Sequence, residues 1–200
     1  MNTYRADLHI HTVLSPCGDL DMSPTNIIAK AREKGLDIIG ITDHNSTRHC
    51  SLIRDLARPA GIFVLTGAEV TTREEVHCLS FFENDDQLSE FQAYIEQHLP
   101  PIPNDTQKFG YQVIVDKDEQ RLEEIEYLLI SAIDQSINQV EQKVHSLGGI
   151  FIPAHIDRPS YSITSQLGFV PTELRIDGVE VSSGCKKENV LPFLPKQANL

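Results

Sequence analysis

An α/β fold, a parallel sheet or an α/β barrel, is what this 200-residue sequence predicts, and three observations point to it. Short apolar runs of strand length alternate with amphipathic stretches of helical period over the first 66 residues. Several of those apolar runs end in a histidine or an acidic residue. Length and composition, with 40% hydrophobic and 23% charged residues, suit one packed domain, expected to span 1–200.

Residues 4–10 read as a buried strand. Ser23 then offers an N-cap oxygen, Pro24 a first helical position, and Gly35 a C-terminal stop, so a helix of about three turns is predicted between them. The apolar run 36–42 is a second strand, 46–57 a second helix and 61–66 a third strand; 70–82 adds extended structure. The rhythm breaks at 84–135, which reads as an insertion: a helix over 86–99 running into Pro100-Pro101-Ile102-Pro103, a strand over 111–115 with its turn at 116–118, and a helix over 121–132. A core helix over 136–147, a strand over 150–154 and another over 176–181 resume the main fold. Residues 191–195 form no recognisable closing element.

Composition excludes several function classes. No run reaches the roughly 18 apolar residues of a membrane helix, and residues 1–7 lack the apolar stretch of a secretory signal, so no membrane partner is expected. The net charge of −12, 6% aromatic content and absence of Trp argue against extended nucleic-acid binding. Four scattered cysteines without a C-x-x-C fit free thiols in a reducing cytoplasm.

The histidines carry the chemistry. Asp7, His9 and His11 alternate at period two and are expected on one strand face, where two imidazoles can grip one metal ion. His44 ends the second strand within Thr42-Asp43-His44-Asn45, Glu69 follows the third in Gly67-Ala68-Glu69, His77 follows soon after, and His155 ends Ile152-Pro153-Ala154-His155. Any one such histidine is more often a hydrogen-bonded structural residue. Five at one topological position, with Glu69 and Asp19 nearby, are read as a metal site at a barrel rim. His49, His98 and His145 lack this placement and are read as structural; Cys17 lies in a nearby loop and is set aside as a ligand, and Cys78, alternating with His77, faces away.

As a set, Asp7-x-His9-x-His11, Thr42-Asp43-His44, Gly67-x-Glu69, His77 and Pro153-Ala154-His155 resemble the successive motifs of the PHP (polymerase and histidinol phosphatase) superfamily. The phrase Ser15-Pro16-Cys17-Gly18-Asp19 is similar to its stand-alone bacterial phosphoesterases, and the likeness covers about residues 5–83 and 145–183. The resemblance implies a distorted (β/α)7 TIM-like barrel and up to three divalent metal ions, Zn, Mn or Fe. It implies His9, His11 and Glu69 on a first metal, Asp19 and His44 on a second, and Glu69, bridging, with His77 and His155 on a third. Asp7 and Asp43 would orient imidazoles. The superfamily adds a late Asp-x-His; none follows His155 here, so the barrel is expected to be incomplete at the C-terminus.

Adjacent metals speed phosphate-ester hydrolysis by lowering a water's pKa from 15.7 towards about 7 and clamping the oxygens that gather charge. The expected function is therefore a metal-dependent phosphoesterase acting on a small phosphorylated metabolite or nucleotide. Arg158 and Arg73 are the candidates to contact the phosphate, each with a structural ion pair as its alternative role. Two other readings stand beside it: a nuclease or exonuclease on short oligonucleotides, and a metal-binding fragment without catalysis.

Overall fold

The computed structural model describes residues 2–186, 188 and 192. Five strands form one open sheet in the order β1-β2-β3-β4-β7: β1 (Ala6–Ile10), β2 (Ile38–Ile41), β3 (Phe63–Thr71), β4 (His77–Phe82) and β7 (Ile150–Pro153). The pairs β1–β2 and β2–β3 are parallel, whereas β3–β4 and β4–β7 are antiparallel. The carboxyl ends of β1, β2, β3 and β7 and the amino end of β4 therefore meet at one rim. This is a mixed α/β sheet; closure into a seven-stranded barrel is not seen among the described residues.

Local chemistry sets the helix ends as expected. α1 (Pro24–Lys34) starts at Ser23, whose hydroxyl accepts from the Asn26 N–H, and stops at Gly35 in the left-handed region at φ 64°. α2 is shorter than predicted, Cys50–Ala57, because residues 46–49 are held in a loop. α3 (Asp85–His98) has a reciprocal cap between Asn84 and Gln87. α5 (Ile137–Ser146) has the same device between Ser136 and Gln139. Among the described residues there are also two short helices, α4 (Thr106–Phe109) and α6 (Ile163–Leu167).

Ile27, Ile28 and Ala31 of α1, Ile53 and Ala57 of α2, and Phe91 and Ile95 of α3 bury one face of the sheet against Ile39, Ile41 and Val64. Phe91 and Ile95 belong to the segment read as an insertion, and they lie within this same core. A smaller apolar cluster of Leu79, Phe81 and Ala154, with Leu8, Leu65 and Ile152 against it, fills the other face below the rim. No helix among the described residues is long and apolar enough to cross a membrane.

Three sequence expectations are corrected. Residues 121–132 are not helical: β5 (Val113–Val115) pairs with β6 (Arg121–Glu124) as an antiparallel hairpin, and the rest is irregular. The alternation of Arg121, Leu122, Glu123 and Glu124 serves a strand whose Leu122 is left exposed. Residues 176–181 are not a regular strand either, although the Asp177 and Glu180 N–H groups donate to the Phe151 and Pro153 carbonyls, so the chain runs parallel beside β7. β3 is longer than expected and carries Glu69 inside it. The reading of 191–195 falls outside the described residues, Pro192 apart.

Candidate metal centre

The site begins with a fault in the first strand pair. Asp7 lies opposite Ile39 and Ile10 opposite Ile41, so three steps along β1 match two along β2. That extra residue is a β-bulge, which reverses the facing of everything after it. Asp7 and Ile10 share the face that packs on α1, and both line a groove there with Ile27 and Lys34. His9 and His11 turn to the opposite face, towards Glu69. Asp7 also lines the central cavity beside His9 and His11, so on this edge strand its carboxylate borders both sides. The backbone closes up at this point, since a Cβ on Gly40 would lie 2.5 Å from the Leu8 carbonyl oxygen.

The other ligand candidates arrive from separate elements. A parallel bridge between His44 and Glu69 carries the β2–β3 pairing past the end of β2. Glu69 sits opposite Leu79 on β4, and His77, two residues before Leu79, shares its face. His77 starts an antiparallel strand rather than ending a parallel one, yet reaches the same rim. His155 follows β7 with φ 32°, in the left-handed region, and Tyr161 nearby has φ 56°. Non-glycine residues held there store strain of order 1–3 kcal/mol each, as functional sites often do.

Five imidazoles converge on the Glu69 carboxylate, which is 1% exposed. Oε1 is 2.9 Å from His77 Nδ1, 3.2 Å from His9 Nε2 and 3.3 Å from His155 Nε2. Oε2 is 3.2 Å from both His11 Nε2 and His44 Nδ1. Burial alone would raise the Glu69 carboxyl, but His11, His155, His77 and His9 hold it well below the usual carboxylate range. Burial likewise works against charge on His9 and His11. Glu180 and Glu69 outweigh it at His9, which is held at about 9, and Cys17 and Glu69 do so at His11, which is held at about 10. Burial prevails at His44, pushed down to about 3 with Glu69 only partly opposing.

The surrounding hydrogen bonds fix the imidazole tautomers. The Ser15 hydroxyl donates its one proton to Asp43 Oδ1 at 2.7 Å and accepts from the His44 N–H at 3.0 Å. At 3.1 Å from Ser15 Oγ, His11 Nδ1 must therefore be the donor, which leaves Nε2 to face the cluster. Asp43 also accepts from the Thr12 N–H and hydroxyl. It orients His11 through Ser15, and the imidazole nearest to it is that of His49, at 4.0 Å from Oδ2. Asp7 touches no imidazole; its Oδ1 accepts only the His9 backbone N–H, at 3.4 Å.

The carboxylate that does orient an imidazole is Glu180. Both its oxygens lie 3.0 Å from His9 Nδ1, which must donate, and its Oε2 accepts the His155 N–H at 2.9 Å. Sequence reasoning missed it because Glu180 lies in a stretch read simply as a strand. The signal available was a lone acid within the apolar run Val179-Glu180-Val181.

Asp19 is the predicted ligand that the structure does not bring to the cluster. It is exposed, and its carboxylate caps the 3-10 turn Leu20–Met22 by accepting from the Asp21 N–H. Arg73 also stands apart. It sits in the β3–β4 turn, where its N–H is tied to the Gln135 carbonyl; its guanidinium lies 3.8 Å from Glu74, and it lines a separate groove with His98 and Asp134. Arg158 does line the central cavity, which measures about 500 Å³ and also includes Cys17, Tyr161 and Glu180. The histidines read as structural are so employed. His49 is clamped between Thr12 Oγ1 and the Val115 N–H, His98 lies on Asp134, and His145 lies on Glu141 and Asp177.

The residues fit metal ions. His44 Nδ1, His77 Nε2 and His155 Nδ1 are buried without a hydrogen-bond partner, His44 Nδ1 being near Glu69 but out of alignment for one. Orphaned buried ring nitrogens are costly unless something accepts their lone pairs. Three overlapping groups have ligand atoms mutually within 4.8 Å: His9, His11 and Glu69; His44, Glu69 and His77; and His11, Cys17 and His44. Nitrogen-rich sets with one shared carboxylate suit Zn, Mn or Fe better than Mg or Ca.

Comparison with known proteins agrees with this geometry. The chain is 36% identical over 90 residues to an uncharacterised protein of Methanocaldococcus jannaschii, a match covering 41% of this chain and 52% of that one. It is 30% identical over 73 residues to a 5'-3' exoribonuclease of Haemophilus influenzae, covering 36% of this chain and 26% of that one. The chain thus spans about half the length of the first of these relatives and about a quarter of the second. Its fold resembles that of a lesion-specific endonuclease of Pyrococcus furiosus, with a TM-score of 0.62 at 18% identity over 92% of this chain and 43% of that one. The PHP domain profile matches residues 7–154, the span that holds Glu69 and four of its five imidazoles, and the chain belongs to the PHP domain family.

Proposed function

We propose that this chain is a metal-dependent hydrolase of phosphate esters, with a small phosphorylated metabolite or nucleotide as substrate. The observation that carries this reading is the convergence of five imidazoles on Glu69 at an open cavity. His9, His11, His44, Glu69, His77 and His155 would hold divalent metal ions, Zn, Mn or Fe, with Glu69 shared between sites. When bound, such ions supply an acidified water and a counter-charge for the phosphoryl group. The protein's own part is positioning. Glu180 and Ser15 keep the His9 and His11 lone pairs turned inward, and the strand ends hold the imidazoles before any ion arrives. Arg158 at the cavity wall can fork onto phosphate oxygens. A volume of about 500 Å³ suits a mononucleotide-sized ligand.

A nuclease reading is favoured by one observation. Tyr161 stacks on His77 with centroids 4.7 Å apart, is 45% exposed, and offers a face on which a base can lie. The likeness to an exoribonuclease supports it, and the charge of −12 counts against a long nucleic-acid track. The experiment is metal analysis paired with turnover of a mononucleotide, a chromogenic phosphodiester and a short oligonucleotide. Bound metal with fastest turnover of the first two supports the small-substrate reading. Preference for the oligonucleotide transfers it to the nuclease, and bound metal with no turnover of any substrate overturns the enzyme.

A further inference from the structure

We infer that Cys17 is a thiolate ligand of this metal centre, sharing an ion with His11 and His44; the inference rests on the metal-binding part of the function proposed above. Two tight reverse turns bring the side chain there. The Ser15 N–H donates to the Thr12 carbonyl at 3.1 Å and the Gly18 N–H to the Ser15 carbonyl at 2.8 Å. The loop folds back so closely that a Cβ on Gly18 would lie 2.0 Å from the Thr12 oxygen, so a residue without one is needed. Both residues are exposed, but this fold-back turns Asp19 away from the cluster and sets Cys17 in the cavity wall.

The ligand atoms of His11, Cys17 and His44 lie within 4.8 Å of one another. His44 points independently to an ion, because its Nδ1 is buried without a hydrogen-bond partner and the residue is only 4% exposed. The Ser15 bond turns His11 Nε2 to the cluster, where it lies 3.0 Å from His9 Nε2 and 3.2 Å from Glu69 Oε2. On ligation the thiol proton passes to solvent as the metal–sulfur bond forms. One sulfur and two imidazoles make a softer set than the remaining oxygen and nitrogen ligands. This position therefore selects Zn(II), Fe(II) or Co(II) over Mn(II) or Mg(II).

Cobalt(II) titration of the purified chain, followed by absorption, tests this without reference to turnover. The expected result is an intense near-ultraviolet thiolate-to-cobalt band. Cys17→Ser should abolish that band while cobalt stays bound elsewhere in the cluster. Asp19→Asn and Cys185→Ser should leave it intact. Alkylating Cys17 in metal-free wild-type protein removes the thiolate by a second route and should also abolish the band. Cobalt bound with no such band, or a band that survives both treatments, overturns the cysteine ligand and leaves the proposed function standing. No cobalt bound at all overturns both.

Discussion

Glu69 is surrounded by more imidazole than one carboxylate can satisfy with protons alone, and its substitution has a clear expected result. Glu69→Gln removes the negative charge shared by two of the ligand groups. It should lose more metal than Asp19→Asn, whose carboxylate only caps a turn; elemental analysis of both proteins decides this, and equal metal content would refute a shared role. Glu180 acts through His9, so Glu180→Gln keeps the fold but weakens the hold on the Nδ1 proton. Loss of such an orienting partner typically costs about 10–100-fold in metal affinity, readable by competition with a coloured chelator. The raised His9 and His11 values of about 9 and about 10 set a pH dependence. In metal-free protein, their pairing with Glu69 and Glu180 stabilises the fold fully below the ordinary histidine value and is lost as pH rises through those raised values. Both groups are held above the ordinary histidine value, so metal uptake competes with protons for these rings. Calorimetry in buffers of different ionisation enthalpy should show proton release, with affinity rising from pH 7 to 9.

The β1 bulge decides which side chains enter the site, and its geometry depends on Gly40. Gly40→Ala sets a methyl group against the Leu8 backbone. Overpacking of this kind costs ~1–3 kcal/mol. It should also shift His9 and His11, so a fall in chelator-resistant metal is expected together with a lower urea midpoint. A fall in stability with metal affinity unchanged would mean that the bulge does not set the histidines. The antiparallel β4 is the other decisive element, because it delivers His77 to the rim by its first residue instead of its last. Helix caps and stops follow local side-chain chemistry and were legible in advance at Ser23, Pro24 and Gly35. The β5–β6 hairpin was not, because short amphipathic runs of Leu, Ile and Glu satisfy helix and strand patterns about equally.

The candidate metal centre joins the two edges of the open sheet. His9 on β1 meets Glu180, which lies beside β7, so the site ties together segments 171 residues apart in sequence. Ions that bind only the folded chain stabilise it by mass action, by about 2.7 kcal/mol at a hundredfold excess over Kd. For a chain of this size that corresponds to a rise of roughly 5–10 °C in Tm. Thermal melts with Zn(II) or Mn(II), and after chelation, should show this difference. An unchanged Tm alongside measured binding would mean that the unfolded chain holds the ions as well.

Residue types and order along the chain were enough to read the α/β class, the capped helices, the identity of Glu69 and its five imidazoles as a set, and the structural employment of His49, His98 and His145. Those features depend on local periodicity and on side-chain chemistry that travels with each residue. Three things needed the folded chain: the bulge that turns His9 and His11 inward, the exchange of Asp19 for Cys17 at the cavity, and the entry of Glu180. The first turns on a one-residue slip in strand pairing, the second on a backbone reversal at Gly18, and the third on a contact between distant segments. Each is a matter of register or long-range packing, which local sequence pattern does not encode.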